Sequence, residues 1–98
     1  MEFEKLSLHD ATVSTISYQW EAGLVAIIGT RYNSVTHAAV KYTLFFYGVR
    51  FLSIPHSAEW GESNSILDLS RVNNSEFRIQ MQSGDLVAIT AERFSLEQ

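Results

Sequence analysis

The chain of 98 residues contains no cysteine, one proline and five glycines. Without thiols it has no disulfide framework, no thiol nucleophile and no cysteine-ligated zinc or iron–sulfur centre. Its glycines occur one at a time, so glycine-rich phosphate loops and the G-x-S-x-G nucleophile elbow are also absent. A chain of this length buries roughly 65% of its unfolded surface, which is enough for one core. We therefore expect a single domain over residues 1–98.

Long apolar runs are missing as well. The longest, such as residues 24–28 and 44–47, have four or five residues, whereas a bilayer-spanning helix needs about 20. The first ten residues carry Glu2, Glu4 and Asp10 around Lys5 and do not resemble a secretory signal. Together with the missing cysteines, these features favour a cytoplasmic protein without a membrane span.

Basic residues are few and scattered. The chain has 7 lysines and arginines against 11 aspartates and glutamates, for a formal net charge of −4. No basic stripe is available to neutralise phosphates, so nucleic-acid binding is not expected. An acidic surface is better suited to a basic protein partner.

What the sequence has is alternation of apolar and polar residues with the two-residue period of a half-buried strand. The best candidate for a helix is residues 3–10, and it would have one or two turns at most. We predict an all-β domain, an antiparallel meander of about seven strands that forms a sandwich or a partly closed barrel. An edge strand of such a sheet needs protection, and pairing into a homodimer would provide it. The predicted strands cover residues 12–21, 24–28, 38–47, 49–54, 66–72, 77–81 and 86–91, with Phe94 and Leu96 extending the last strand or fraying from it.

The predicted core consists of the apolar side chains on one face of these strands. It comprises Ile16, Tyr18, Trp20, Ala26, Ile28, Val40, Tyr42, Leu44, Phe46, Leu52, Ile54, Leu67, Leu69, Phe77, Ile79, Met81, Val87 and Ile89.

Groups able to carry catalysis are scarce. His9 and Asp10 are adjacent, and neighbours on an extended strand point in opposite directions, so a turn role is favoured for this pair. His56, Glu59 and Glu62 share a polar loop, but their spacing matches no compact metal motif, and a solvated loop is favoured. An enzyme built from His9, Asp10, His56 and Glu59 would require these side chains to converge. We predict no catalytic residue, no metal ligand and no cofactor.

Trp60 stands alone in this polar loop, beside Gly61 and between acidic residues. It could close one end of the core or serve as an exposed anchor for a partner, and burial is favoured because small domains seldom leave tryptophan uncovered. The many strand aromatics are interpreted first as core packing. A curved sheet lined by aromatics can also enclose a small molecule.

Four short patches, taken together, resemble a family of small bacterial all-β domains, some of which are grouped with the immunity proteins of polymorphic toxin systems. They are L-H-D-A at 8–11, F-Y-G-V at 46–49, W-G-E-S at 60–63 and Q-S-G-D at 82–85. The resemblance implies a cytoplasmic protein that covers the active surface of a basic toxin domain, often with acidic side chains. It implies no catalytic role for the residues in these patches.

The function predicted from the sequence is that of a non-enzymatic protein-binding module. The resemblance implies, more specifically, an immunity protein that neutralises a bacterial toxin. The alternative is a barrel-like domain that binds a small molecule. Charge complementarity would speed the encounter with a basic partner, and a buried anchor would supply affinity. The candidate binding residues are Trp60, Glu59, Glu62, Ser63, Asp68 and Asp85.

Overall fold

The alternating segments form eight antiparallel strands in the computed structural model, which describes residues 2–98. A short 3₁₀ helix precedes them. In chain order the elements are the 3₁₀ helix (Phe3–Lys5), β1 (Thr15–Gln19), β2 (Leu24–Asn33), β3 (Ala38–Tyr47), β4 (Phe51–Ser53), β5 (Ile66–Arg71), β6 (Glu76–Met81), β7 (Leu86–Thr90) and β8 (Arg93–Glu97).

The strands form two four-stranded sheets with the orders β1-β2-β3-β8 and β4-β7-β6-β5. The all-β prediction is confirmed, and the two sheets form a sandwich without closing a barrel among residues 2–98. The structure has one strand more than the seven predicted, and this strand, β8, begins where the chain passes from the second sheet to the first. The amide of Ala91 donates to the carbonyl of Ser75, just before β6 of the second sheet, and the next amide, of Glu92, donates to the carbonyl of Tyr47 in the first sheet. Residues 93–97 therefore leave β7 and pair with β3.

The inner face of β2 differs from the prediction. Val25 and Ile27 are fully buried, while Ala26 and Ile28 are only partly buried. Because residues 24–28 are all apolar, their sequence carries no alternation from which the face could be read. The face follows from pairing: Val25 lies opposite Phe46, which is buried, and directly opposed residues share a face.

The predicted core is confirmed along β6 and β7 and at three of its four positions on β3, and it is wrong for four residues in or next to edge strands. Tyr18 is 39% exposed on β1, which is an edge strand, and Trp20 is 83% exposed just beyond the end of that strand. Ile54 is 46% exposed beyond the end of β4, and Leu67 is 39% exposed at a bulge in β5. Ile16, Val40 and Leu52 are partly buried. The confirmed members are Tyr42, Leu44, Phe46, Leu69, Phe77, Ile79, Met81, Val87 and Ile89.

The N-terminal segment belongs to the core, which the sequence did not indicate. Phe3 is fully buried, and its ring centroid lies 5.9 Å from that of Phe46, 5.0 Å from Phe77 and 5.2 Å from Phe94, all edge to face. Leu6 and Leu8 are also buried. The 3₁₀ helix packs against β5, so this segment fills the space between the two sheets.

The chain runs close to β2 just before β1 begins, where the amides of Thr12 and Ser14 donate to the carbonyls of Thr30 and Ile28. The backbone of Thr12 passes over Gly29 so tightly that a Cβ atom on Gly29 would lie 1.7 Å from the Thr12 carbonyl oxygen. The buried hydroxyl of Tyr42 donates to the same oxygen at 2.7 Å. Burial raises the pKa of Tyr42 to about 12, so this hydroxyl keeps its proton at neutral pH.

Among residues 2–98, no helix has the length and apolar character needed to cross a membrane.

Candidate functional site

The candidate site is built on residues 56–64, here called the Trp60 loop. The loop links β4 to β5, which are the two opposite edges of the second sheet. The chain must therefore cross the end of that sheet, where residues 82–85 make the turn between β6 and β7. This crossing places the Trp60 loop directly against the turn.

Asp85 holds the start of the loop through hydrogen bonds to its carboxylate. Its carboxylate accepts the backbone N–H groups of Ser57 at 2.6 Å and Ala58 at 3.1 Å, and the hydroxyl of Ser83 at 2.7 Å. The N–H of Ser57, followed by the Ser83 hydroxyl, holds the pKa of Asp85 below its ordinary value, although desolvation opposes the shift. The carboxylate is thus ionised at neutral pH. Asp85 is only 6% exposed, and the structure uses it to hold the loop.

Trp60 lies on the turn and remains open to solvent. Its amide donates to the Ser83 carbonyl at 2.9 Å. Its ring rests on Gly84 so closely that a Cβ atom there would come within 2.9 Å of Trp60 Cδ2, and Gly84 has a φ of +95° that favours glycine. Trp60 is nevertheless 65% exposed. The favoured interpretation of Trp60 as a buried plug is therefore wrong, and its position is that of an exposed aromatic on a fixed support.

The structure brings four of the other predicted site residues to this region. Glu59 and Glu62 are exposed in the loop, and within residues 2–98 neither forms an ion pair. Ser63 is partly buried and accepts the amide of Ser65 at 3.2 Å. Asp85 lies beneath the loop. Asp68 is exposed on β5, and no hydrogen bond or ion pair of the described part of the chain links it to the loop.

A groove of about 260 Å³ lies beside the Trp60 loop and was not predicted. It opens between the segment that leads into β1 and the segment that follows β4, which are edges of different sheets. The amide of Val13 donates to the Asn64 carbonyl at 2.8 Å and so joins the loop to the first sheet. No local pattern reports this pairing, because its partners lie about fifty residues apart in the sequence. The apolar lining is Val13, Ile16, Ile54, Pro55, Met81 and Val87, and the polar lining is Ser14, Thr15, His56, Ser63, Asn64, Ser83 and Asp85.

His9 and Asp10 form the predicted turn, but the expectation that their side chains point apart is wrong. Asp10 has a φ of +66°, which departs from the extended strand assumed for the pair. His9 Nε2 lies 3.5 Å from Asp10 Oδ2, with both side chains exposed. No hydrogen bond or ion pair seen in residues 2–98 joins this pair to His56 or Glu59. Over the same residues, no group of three or more histidines and carboxylates is placed to hold a metal ion.

Comparison with protein-family models, with curated proteins and with solved structures finds no match to this chain. The functional interpretation therefore rests on the geometry of the Trp60 loop and of the groove beside it.

Proposed function

We propose that this chain is a non-enzymatic protein-binding module that holds its partner on Trp60. One observation carries the proposal: Trp60 is 65% exposed while its backbone and ring are fixed against the turn at Ser83 and Gly84. Exposed tryptophans are frequent hot spots of protein interfaces. A support that is rigid before binding reduces the conformational entropy lost when the complex forms.

The charges around Trp60 favour a basic partner. Glu59 and Glu62 flank the ring in sequence, and their exposed carboxylates are free of ion pairs within the described residues. Such charges mainly increase the association rate and select the partner. The finer proposal follows the resemblance described above: the partner is a basic toxin domain, and the chain acts in the cytoplasm as its immunity protein.

The proposal is tested by quantitative capture with matched tryptophan variants. Tagged wild-type protein, Trp60→Ala and Trp20→Ala are expressed in the source cells, crosslinked and compared by isotope-labelled mass spectrometry. Trp20 is a suitable control because it is 83% exposed and lies just after β1, whose opposite end is the one that approaches the Trp60 loop. We expect one protein that the wild type and Trp20→Ala recover equally. Trp60→Ala should bind that protein about thirtyfold more weakly and recover correspondingly less of it, since hot-spot truncation costs about 2 kcal/mol or more.

Two controls accompany this measurement. The melting temperature of Trp60→Ala must stay close to that of the wild type, so that lost capture does not reflect unfolding. The double variant Glu59→Lys/Glu62→Lys should also recover less of the same protein if that partner is basic. Equal recovery by Trp60→Ala and the wild type would overturn the proposal, as would the absence of any protein that distinguishes Trp60→Ala from Trp20→Ala.

Small-molecule binding is the second candidate, and the groove beside the loop is the observation that favours it. Its volume of about 260 Å³ is just below the range of about 300–1,000 Å³ for drug-sized ligands, so only a small compound would fit. A fragment library followed by methyl NMR tests it. A bound fragment should shift the methyl signals of Met81 and Val87, which line the groove, and leave those of the exposed Val72 unchanged. If no fragment produces this pattern, the candidate fails.

A further inference from the structure

The two sheets leave four edge strands, and β8 differs from the other three. β4 has only three residues, and the ladder of β5 is interrupted by a bulge between Ile66 and Asp68. Short strands and bulges are common ways to prevent an edge from pairing. β1 contains no charged side chain that could fix a register. β8 is a regular five-residue strand with a charged residue at each end.

The sequence of β8, R-F-S-L-E, is complementary to itself in charge when two copies run antiparallel. With Ser95 opposite Ser95 of a second copy, Arg93 lies opposite Glu97 of that copy. Two-fold symmetry repeats this pair on the other side of the axis, so one register forms two cross-strand pairs of opposite charge. Such pairs stabilise antiparallel strands, whereas like charges in the same positions destabilise them.

The same register also places the inner face of β8 in one copy on the same side as the inner face of β8 in the other. Phe94 and Leu96 are partly buried and pack against the core, so they lie on the inner face of β8. Arg93 and Ser95 lie on the outer face, where the guanidinium carbon of Arg93 stands 3.9 Å from the centre of the Tyr47 ring and Ser95 Oγ is 3.0 Å from Tyr47 Oη. Centred on Ser95, pairing places Phe94 beside Leu96 of the second copy. The inner faces of both copies then stay on the same side.

The outer edge of β8 borders a groove, and its two charged side chains form no ion pair among the described residues. A groove of about 350 Å³ runs along β8, lined by Arg71 and residues 93–96. Within residues 2–98, neither Arg93 nor Glu97 takes part in an ion pair. The basic lining of this groove suits the acidic end of an incoming β8.

We propose that the chain forms a two-fold homodimer in which β8 pairs antiparallel with β8 of a second copy, in the register centred on Ser95. The first sheets of the two copies then form one continuous eight-stranded sheet. The dimer leaves the Trp60 loop free, because that loop joins the first sheet next to β1, at the edge opposite β8. Dimerisation therefore stands independently of the function proposed for Trp60.

Charge reversal in β8 tests the register directly. By sedimentation velocity, the wild type should approach twice the monomer mass of 11.1 kDa as its concentration rises. Arg93→Glu places glutamates opposite each other, and Glu97→Arg places arginines opposite each other, so each should raise the dimer dissociation constant by about tenfold or more. The double variant Arg93→Glu/Glu97→Arg restores both pairs and should dimerise again.

Mixing the two single variants provides a second readout. Arg93→Glu and Glu97→Arg chains are complementary at both pairs, so together they should form a heterodimer more readily than either forms a homodimer. Melting temperatures check folding, and Glu97→Arg serves as the safer variant because Arg93 also stacks on Tyr47. Trp60→Ala should leave the mass unchanged. The proposal is overturned if the wild type is monomeric up to about 1 mM, if both single variants dimerise like the wild type, or if the double variant and the mixture remain monomeric.

Discussion

Replacing Gly29 with alanine should lower the free energy of unfolding by about 3 kcal/mol or more, the upper end of overpacking effects. The added Cβ atom would lie 1.7 Å from the carbonyl oxygen and 2.7 Å from the carbonyl carbon of Thr12. Both are backbone atoms, so relief requires the segment before β1 to move as a whole. That movement would also disturb the hydrogen bond from Tyr42 to the same oxygen.

Urea denaturation of Gly29→Ala, with Tyr42→Phe as a matched variant, measures this effect. Tyr42→Phe removes only the hydroxyl that donates to Thr12 and adds no atom between Thr12 and Gly29. Losing one such hydrogen bond costs about 1 kcal/mol. If Gly29→Ala proved as stable as Tyr42→Phe, the close approach of the Thr12 backbone to Gly29 would be contradicted.

The second large effect is expected at Phe3, where truncation to alanine should cost about 3–5 kcal/mol, as for other buried phenylalanines. Phe3 is fully buried and makes edge-to-face contacts with three other phenylalanine rings. Removing its ring leaves a cavity between the sheets, and the surrounding strands can move only part of the way into it. A part of the cost is the loss of the aromatic pairs themselves.

Thermal and urea denaturation of Phe3→Ala should be compared with Phe51→Ala. Phe51 is the same residue type but is 55% exposed on β4, so its truncation removes little buried surface. We expect Phe51→Ala to lose less than about 1 kcal/mol. Similar losses in the two variants would show that the N-terminal segment does not pack in the core as described.

The fold was predictable where alternation met clear turn residues. β3 has the predicted limits of 38 and 47, because its alternating residues lie between a polar turn and Gly48. The face of β2 was not predictable, since five consecutive apolar residues fit either register. The burial of Phe3 was also beyond local reasoning. It depends on a gap between the two sheets that exists only after they pack.

The candidate site was predictable only in part, because local sequence patterns mark unusual residues but do not show which segments pack together. Trp60 could be singled out because it is isolated in a polar loop, yet its exposure depends on how the loop crosses the β6–β7 turn. Asp85 was predicted as a binding residue, and its carboxylate also accepts the backbone amides of Ser57 and Ala58, 28 and 27 residues away in the chain, which the sequence did not indicate. The groove forms only where the segment before β1 and the segment after β4, from different sheets, come together. Tertiary pairing, which local pattern does not encode, determines all three features.

The hydrogen bonds that hold the Trp60 loop to its support come from backbone amides of the loop, at Ser57, Ala58 and Trp60. Amides are present whichever side chains the loop carries, proline excepted. The exposed positions 59 and 62 can therefore change identity while the scaffold keeps its shape. Under the function proposed for Trp60, substitutions at these two positions would alter partner specificity without requiring a new fold.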